Sequence, residues 1–265
     1  MDVYVDPAGA DIAVPSNIDG VGVTLQETVQ VEPSTCNVGD FSIMPGGVVI
    51  EEANGSSGGT STCEVSRTVS GNKRYYMMTS AHLFTCSGSN IAGDGVNQSG
   101  RSFGTVADYD FDQDWAIVER DPNGAVSDFD NGIEDTAGIM AGHVTENGLA
   151  DLKGTDTTVY KQGITTCNES GQVDQYDVSV NTSCNSISSN DYVRLTTDED
   201  NGDSGAPHYH QYTYNGCNYL ALIAPHTAGA CSSSPCADSV GCAAFHINSD
   251  HNINFDPEFQ FGHCK

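Results

Sequence analysis

Short apolar runs alternate along this chain with clusters of glycine, serine, asparagine and aspartate. The run Arg74-Tyr75-Tyr76-Met77-Met78-Thr79 is short, aromatic and apolar, the pattern of a buried strand. Trp115-Ala116-Ile117-Val118 has the same character. Further strands are predicted over residues 157–160, 175–180, 191–195, 219–224 and 242–247, and one or two weaker ones over residues 12–31. Residues 33–40 read as a connector and residues 54–62 as a Gly/Ser/Thr loop. Helical periodicity is confined to the residues after Ser249, where a short C-terminal helix is predicted. Many short strands with glycine-rich turns predict an all-β protein, a sandwich or a barrel.

The chain has 265 residues, enough for one large all-β domain or two small ones. Its 36 acidic and 9 basic residues give a formal charge of −27. That balance argues against a nucleic-acid partner, since phosphate contacts need lysine and arginine. The acids are spread along the chain, unlike a disordered acidic tail. A folded surface so acidic predicts work in high salt, where self-repulsion is screened; calcium binding is the competing account of some carboxylates. Ten cysteines and no C-x-x-C pair predict disulfides rather than zinc, and an oxidising, extracellular setting. Residues 1–30 show no signal peptide, so a secreted form is expected to have lost it. No stretch approaches the length of a membrane-spanning helix, and no membrane partner is expected.

The segment Asn201-Gly202-Asp203-Ser204-Gly205-Ala206-Pro207 suits neither strand nor helix. It suits a tight turn in which glycine permits unusual dihedrals and close approach of a substrate. Backbone N–H groups there can face a reacting oxygen beside the Ser204 hydroxyl. An ordinary loop has the same composition. Thr79-Ser80-Ala81-His82 follows directly on a predicted buried strand, and Asp114 opens the run Asp-Trp-Ala-Ile-Val. Either residue alone reads as structural. Their order with Ser204, His…Asp…Ser, is that of the chymotrypsin triad.

On these motifs the chain resembles the chymotrypsin-like serine peptidases, and within them the streptogrisin and glutamyl-endopeptidase branches. The similar stretch spans residues 43–254. Residues 75–82 resemble the family's histidine strand, residues 114–118 its Asp-x-Ala-aliphatic motif, and residues 202–207 its Gly-Asp-Ser-Gly-Gly-Pro turn. Gly163-Ile164-Thr165-Thr166 and Ser170-Gly171-Gln172-Val173 are similar to a streptogrisin segment. The resemblance implies two antiparallel Greek-key β-barrels. The first, over residues 43–135, would carry His82 and Asp114, and the second, over residues 136–265, would carry Ser204. Residues 1–42 would be an arm or pro-region. Ala206 departs from the motif's second glycine by one methyl group.

The family mechanism implies attack by Ser204 on a peptide carbonyl, with His82 as general base and then acid and Asp114 fixing its tautomer. Gly202 and Ser204 would supply the oxyanion-binding N–H groups, and Thr227 would replace the family serine that hydrogen-bonds the aspartate. The resemblance also suggests a Cys63–Cys86 bridge beside the histidine. The bridge beneath the specificity pocket is missing at Asp200, or rerouted through Cys231, Cys236 or Cys242. Two specificity signals conflict: Asp198 implies a basic residue before the scissile bond, His226 with Thr227 an acidic one. Asp203 needs a buried partner, either Lys161 or a new N-terminus near Ile43, and Lys161 is preferred. His208 and His210 lack a third ligand at motif spacing and read as surface histidines, so neither metal nor cofactor is expected. The partner is a polypeptide substrate. Two rivals stand beside this reading: a catalytically inactive homologue acting as a binding or structural module, and a peptidase acting only on its own chain.

Overall fold

The computed structural model describes residues 35–55, 57–180, 184, 189–229 and 236–256, with the backbone of two short paired strands, Asn17–Ile18 and Val21–Gly22. The remainder of the weak alternation expected over residues 12–31 lies outside the described residues. By its contacts the chain divides into Met1–Ser34 and Thr35–Lys265, and both large sheets belong to the second unit.

The fold is the all-β, two-barrel architecture expected from sequence. One antiparallel sheet has seven strands. In spatial order they are Gly58–Thr60, Val49–Glu52, Gly95–Gln98, Arg101–Asp110, Trp115–Arg120, Asn72–Thr79 and Glu64–Val69. The second sheet has eight strands, with Pro207–Tyr214 and Cys217–Gly229 at its centre. Tyr192–Leu195 and Ser239–Cys242 lie on one side of that pair, and Val159–Gly163 with Cys167–Gly171 on the other.

The two strongest apolar runs, around Tyr76 and around Trp115, are buried on both faces, and strand alternation explains how. Met77, Ala116 and Val118 point into a core with Met44, Ile50 and Phe103, inside the first half. Their neighbours Tyr76, Met78, Trp115 and Ile117 point the other way, onto Tyr192, Tyr209, Leu222 and Ile247 of the second half. One strand pair thus serves two cores, which is why its sequence is continuously apolar. A third core around Val159, Val193, Leu195 and Ile223 fills the second half.

Three elements differ from expectation. Residues 242–247 do not form one strand: the strand ends at Cys242, and a helix runs from Ala244 to His251. Ala244 and Ile247 face the core one helical turn apart, and Asn252 closes the helix in the left-handed conformation (φ 54°). The expected terminal helix therefore begins before Ser249 rather than after it. A second helix, Glu146–Gly154, was not expected. Thr145 caps it by accepting from the Gly148 N–H, but only Leu149 and Leu152 are buried, too faint a stripe to read. The expected loop over residues 54–62 contains the strand Gly58–Thr60.

The cysteines are joined differently from the expected Cys63–Cys86 bridge. Cys86 bonds Cys184, and Cys36 bonds Cys167 across 131 residues. Cys217 and Cys236 are also disulfide-bonded. Cys63 and Cys242 are buried free thiols in the core shared by the two halves. Burial pushes both thiols above their ordinary pKa. Of the candidates for a rerouted pocket bridge, Cys242 is therefore excluded, and Cys231 lies outside the described residues.

Candidate active site

The strand Asn72–Thr79 runs into a short 3-10 turn, Ala81–Leu83, that lifts His82 out at the strand end. Ala81 and Leu83 on either side are buried, which anchors the backbone beneath the ring. Asp114 sits in the turn between Arg101–Asp110 and Trp115–Arg120 with φ 53°, a left-handed conformation that aspartate tolerates better than most residues. The Asp110 carboxylate shapes this turn by accepting from the N–H groups of Asp112 (2.8 Å) and Gln113 (2.9 Å). The Gln113 amide then donates to Asp191 (3.0 Å) and Asp250 (2.8 Å), tying the turn to the second half.

The structure brings together the three residues that the motifs singled out. Asp114 is almost fully buried; its Oδ1 accepts from the His82 N–H (2.9 Å) and its Oδ2 lies 2.7 Å from His82 Nδ1. On the other side of the ring, His82 Nε2 lies 2.7 Å from Ser204 Oγ. Burial pulls the imidazole pKa down, but the Asp114 charge and hydrogen bond outweigh it and hold His82 above its ordinary value.

Ser204 lies in a turn with a left-handed glycine on each side, Gly202 at φ 104° and Gly205 at φ 86°. A side chain on Gly205 would run into the Thr60 carbonyl and the Thr79 hydroxyl. Ala206 fits, fully buried, its N–H donating to the Asp203 carbonyl (2.7 Å). The turn is gripped by the first half. Thr60 N–H donates to the Ser204 carbonyl (2.7 Å), Thr60 Oγ1 to the Gly202 carbonyl (2.9 Å), and Thr62 Oγ1 to the Gly205 carbonyl (2.7 Å). Thr60 and Thr62 were not singled out from sequence, because these bonds span more than 140 residues and no local pattern announces them. The N–H groups of Gly202 and Ser204 donate to no acceptor among the described residues.

Behind the turn, Asp203 and Lys161 are both fully buried, with Lys161 Nζ 2.5 Å from Asp203 Oδ2. Asp203 also accepts from Thr166 Oγ1 (2.6 Å), Thr165 N–H (3.0 Å) and Thr166 N–H (3.2 Å). Burial alone would raise the Asp203 pKa; the Lys161 ammonium and these hydrogen bonds outweigh it and hold the carboxyl below its usual range. Gly163 lies against this carboxylate, and a side chain there would displace it.

Other expectations are placed differently. Asp198 is exposed, while Glu199 Oε2 lies 3.7 Å from His226 Nε2. His226 is buried, and its backbone pairs with the serine turn, His226 N–H to the Ala206 carbonyl and Gly205 N–H to the His226 carbonyl (both 2.8 Å). Thr227 does not hydrogen-bond Asp114. Its buried hydroxyl lies against Tyr192 instead, and His82 makes the Asp114 contacts. His208 is not a surface residue: it is fully buried, with Nε2 3.3 Å from His226 Nδ1. Burial depresses the pKa of both rings, most strongly for His208, where His226 and Lys161 add to the effect. The strand alternation that puts His208 and His210 on one face does not make both exposed; His210 stacks on Tyr212 instead.

No family model matches the chain, and no curated protein does. Solved structures match its fold. Thermobifida fusca protease A has a TM-score of 0.58 at 17% identity, over 80% of this chain and 97% of that one. Cellulomonas bogoriensis chymotrypsin gives 0.57 at 16% identity, over 80% and 97%. A glutamic acid specific serine protease, described as using a histidine triad in substrate binding, gives 0.55 at 18%, over 80% and 99%. These similarities establish the fold.

Proposed function

We propose that this chain is an exported serine endopeptidase that hydrolyses peptide bonds through an ester on Ser204. The observation that carries the reading is the continuous relay from Asp114 through both nitrogens of His82 to Ser204 Oγ, with 2.7 Å at each step. General-base catalysis needs such hydrogen-bond reach, and the base needs a pKa near the working pH. A His82 pKa raised by Asp114 meets the second requirement.

In the proposed cycle, Ser204 Oγ attacks the scissile carbonyl carbon while His82 Nε2 takes the hydroxyl proton. Asp114 stabilises the resulting imidazolium. The carbonyl oxygen becomes an oxyanion within reach of the Gly202 and Ser204 N–H groups; losing one such donor typically costs about 2.7–4 kcal/mol of transition-state stabilisation. Collapse breaks the C–N bond, and His82 gives its proton to the leaving amine. Water, deprotonated by His82, then hydrolyses the ester. The buried Lys161–Asp203 pair supports the turn that carries the nucleophile, in place of a new N-terminus. The neighbour whose substrate binding uses a histidine triad supports His226 as part of the substrate pocket.

Disulfides and a charge of −27 support an extracellular, high-salt setting. The reading is tested by a fluorophosphonate probe in molar salt, with and without Ser204→Ala. Labelling of Ser204 together with turnover of a peptide in trans is the expected result. Absence of label means an inactive binding homologue, and label without turnover in trans means a peptidase confined to its own chain. Melting in graded NaCl checks the salt reading; a midpoint that does not rise with salt overturns it.

A further inference from the structure

The turn that carries Asp114 meets the second half at a cluster of metal-ligating side chains. His246 and Asp250 lie four residues apart on the helix Ala244–His251, so both project from one face. Asp191 lies just ahead of the strand Tyr192–Leu195. One ligand atom from each of Asp191, His246 and Asp250 lies within 4.8 Å of the other two. The closest approach given by an ion pair is His246 Nε2 to Asp191 Oδ1, 3.8 Å. An ion bound at about 2.0–2.2 Å to each would draw these atoms to roughly 3.3–3.6 Å of one another. Asp250 is exposed and the other two are partly buried, so side-chain rotation supplies that contraction and the ion enters from solvent.

Gln113 is an independent sign of a ligand. It comes from the first half and is only 5% exposed. Its Nε2 donates to Asp191 Oδ2 and to Asp250 Oδ2, so the amide end sits between the two carboxylates. Its buried Oε1 has no hydrogen-bond partner. A half-turn about the Cγ–Cδ bond exchanges these two atoms and aims Oε1 into the cluster, as a fourth ligand. The neutral amide gives the carboxylates hydrogen bonds but no countercharge. Among the described residues no lysine or arginine forms an ion pair with Asp191 or Asp250. Asp110 and Asp114 add to the negative field: after burial, the charges of Asp191, Asp114, Asp110 and Asp250 are what raise the Cys242 thiol. Across from them stands one more imidazole, His251, with Nε2 3.7 Å from Asp110 Oδ2.

The donor set decides the class of ion. Calcium takes about six to eight oxygens, and magnesium an octahedron of oxygens. One imidazole with two carboxylates suits a divalent transition metal, and a four-ligand cluster suits zinc. We propose that Asp191, His246 and Asp250, with the Gln113 amide oxygen, form a zinc site that clasps the turn before Trp115 in the first half to the helix Ala244–His251 in the second. None of these side chains hydrogen-bonds Ser204 or His82, so the site stands apart from the peptidase reading.

The test titrates zinc chloride into the chelator-treated full chain in molar NaCl, by calorimetry. Saturable binding with Kd of about 1 μM or tighter is expected. The melting midpoint is expected to rise with zinc and not with equal magnesium or calcium. His246→Asn and Asp250→Asn are each expected to weaken binding at least about tenfold, since even outer-shell partners of a metal are worth that much. His210→Asn, outside the cluster, is expected to change it by less than about twofold. Gln113→Glu brings in a third carboxylate, and is expected to lower the midpoint without zinc but tighten zinc binding, a crossed result that loss of packing does not produce. If the variants do not fold, X-ray absorption of the unmutated protein with one equivalent of zinc still decides: one imidazole among oxygen ligands is expected. No saturable binding, a Kd unmoved by both His246→Asn and Asp250→Asn, two or more imidazoles around the ion, or equal stabilisation by magnesium or calcium overturns the site. Gln113→Glu binding zinc no more tightly than the parent removes Gln113 from it.

Discussion

The two halves of this molecule bury polar groups of different kinds. Those buried around the site in the first half are mostly neutral hydroxyls: Thr60, Ser61, Thr62, Thr79 and Ser80. The second half buries hydroxyls as well, Thr197, Thr227 and Ser239, but adds ions and rings, namely Lys161, Asp203, His208 and His226. The hydroxyls hold backbone: Thr60 and Thr62 grip the serine turn, and Ser80 Oγ donates to the His226 carbonyl (2.7 Å). The charged and ring groups set electrostatics: Lys161 pairs with Asp203, and His226, whose backbone pairs with the serine turn, packs its ring against His208. A neutral scaffold facing a charged one places reacting groups without adding uncompensated charge at the seam. Asp114, like Glu64, is an exception, a carboxylate buried in the first half, and it points across the seam through His82.

That exception gives the largest expected effect. Asp114→Asn keeps the shape but removes the acceptor that fixes the His82 tautomer and raises its pKa. Loss of the tautomer-fixing carboxylate is expected to lower kcat roughly 10⁴-fold. In the unmutated protein kcat/KM rises with pH as His82 loses its proton, at a pKa above the ordinary value of about 6.5. In the variant the residual activity shifts that limb towards lower pH. Stopped assays across a pH range of about 5 to 9 check both, and an unmoved limb denies Asp114 its proposed role.

The second effect belongs to the charged half. Lys161→Met leaves Asp203 buried without its cation, and breaking one side of such a pair costs about 3–5 kcal/mol. Denaturant unfolding in high salt measures it. The serine turn loses its support with the pair, so activity falls alongside stability. A variant equal to the parent in both places the weight of the turn on Thr165 and Thr166 instead.

How much of this was legible in sequence follows the same division. The two-sided strands and the glycine turn carry local signals, because burial on both faces and φ above zero each restrict residue type. Lys161 was legible through the need to neutralise a buried aspartate together with the resemblance to streptogrisins, which implies a cation at that place. The hydroxyl grip was not, since a threonine in a Gly/Ser/Thr stretch reads as loop whichever carbonyl it meets. Asp198 and Glu199 differ by one register position, and the bridge to Cys236 that goes with a sheltered Glu199 and an exposed Asp198 is a long-range contact. His208 read as exposed because the alternation of Pro207–Tyr214 says which residues share a face, not which face is covered. Disulfide partners carry no local signal, and Cys86 found Cys184 rather than Cys63.

A smaller effect separates the two buried histidines from His82. His208 and His226 have folded-state pKa values below those of the unfolded chain. Unfolding therefore takes up protons, and their contribution to stability is lost as pH falls below about 6.5. His82 has the opposite sign: its contribution is complete below that pH and is lost as pH rises through its raised pKa. Asp203, held low, contributes above the ordinary carboxylate range near 4 and loses that only on stronger acidification. His208→Gln is expected to flatten the unfolding free energy just below about pH 6.5, by up to about 1.4 kcal/mol per pH unit. Urea melts at half-unit steps resolve that slope; an unchanged slope assigns the acid loss to other groups.

The smallest effect tests whether the first half acts through neutral contacts alone. Thr62→Val keeps the volume and removes the hydroxyl that donates to the Gly205 carbonyl, leaving that buried acceptor unmet at a cost of about 1–3 kcal/mol. Because no charge is involved, the loss should be the same at every pH, and the pH position of the His82 limb should not move. Thr62→Ser, which keeps the donor, should recover most of the loss. A limb that shifts in Thr62→Val means that the hydroxyl also governs the distance between Ser204 and His82. The neutral scaffold would then tune the proton relay as well as hold the turn that carries it.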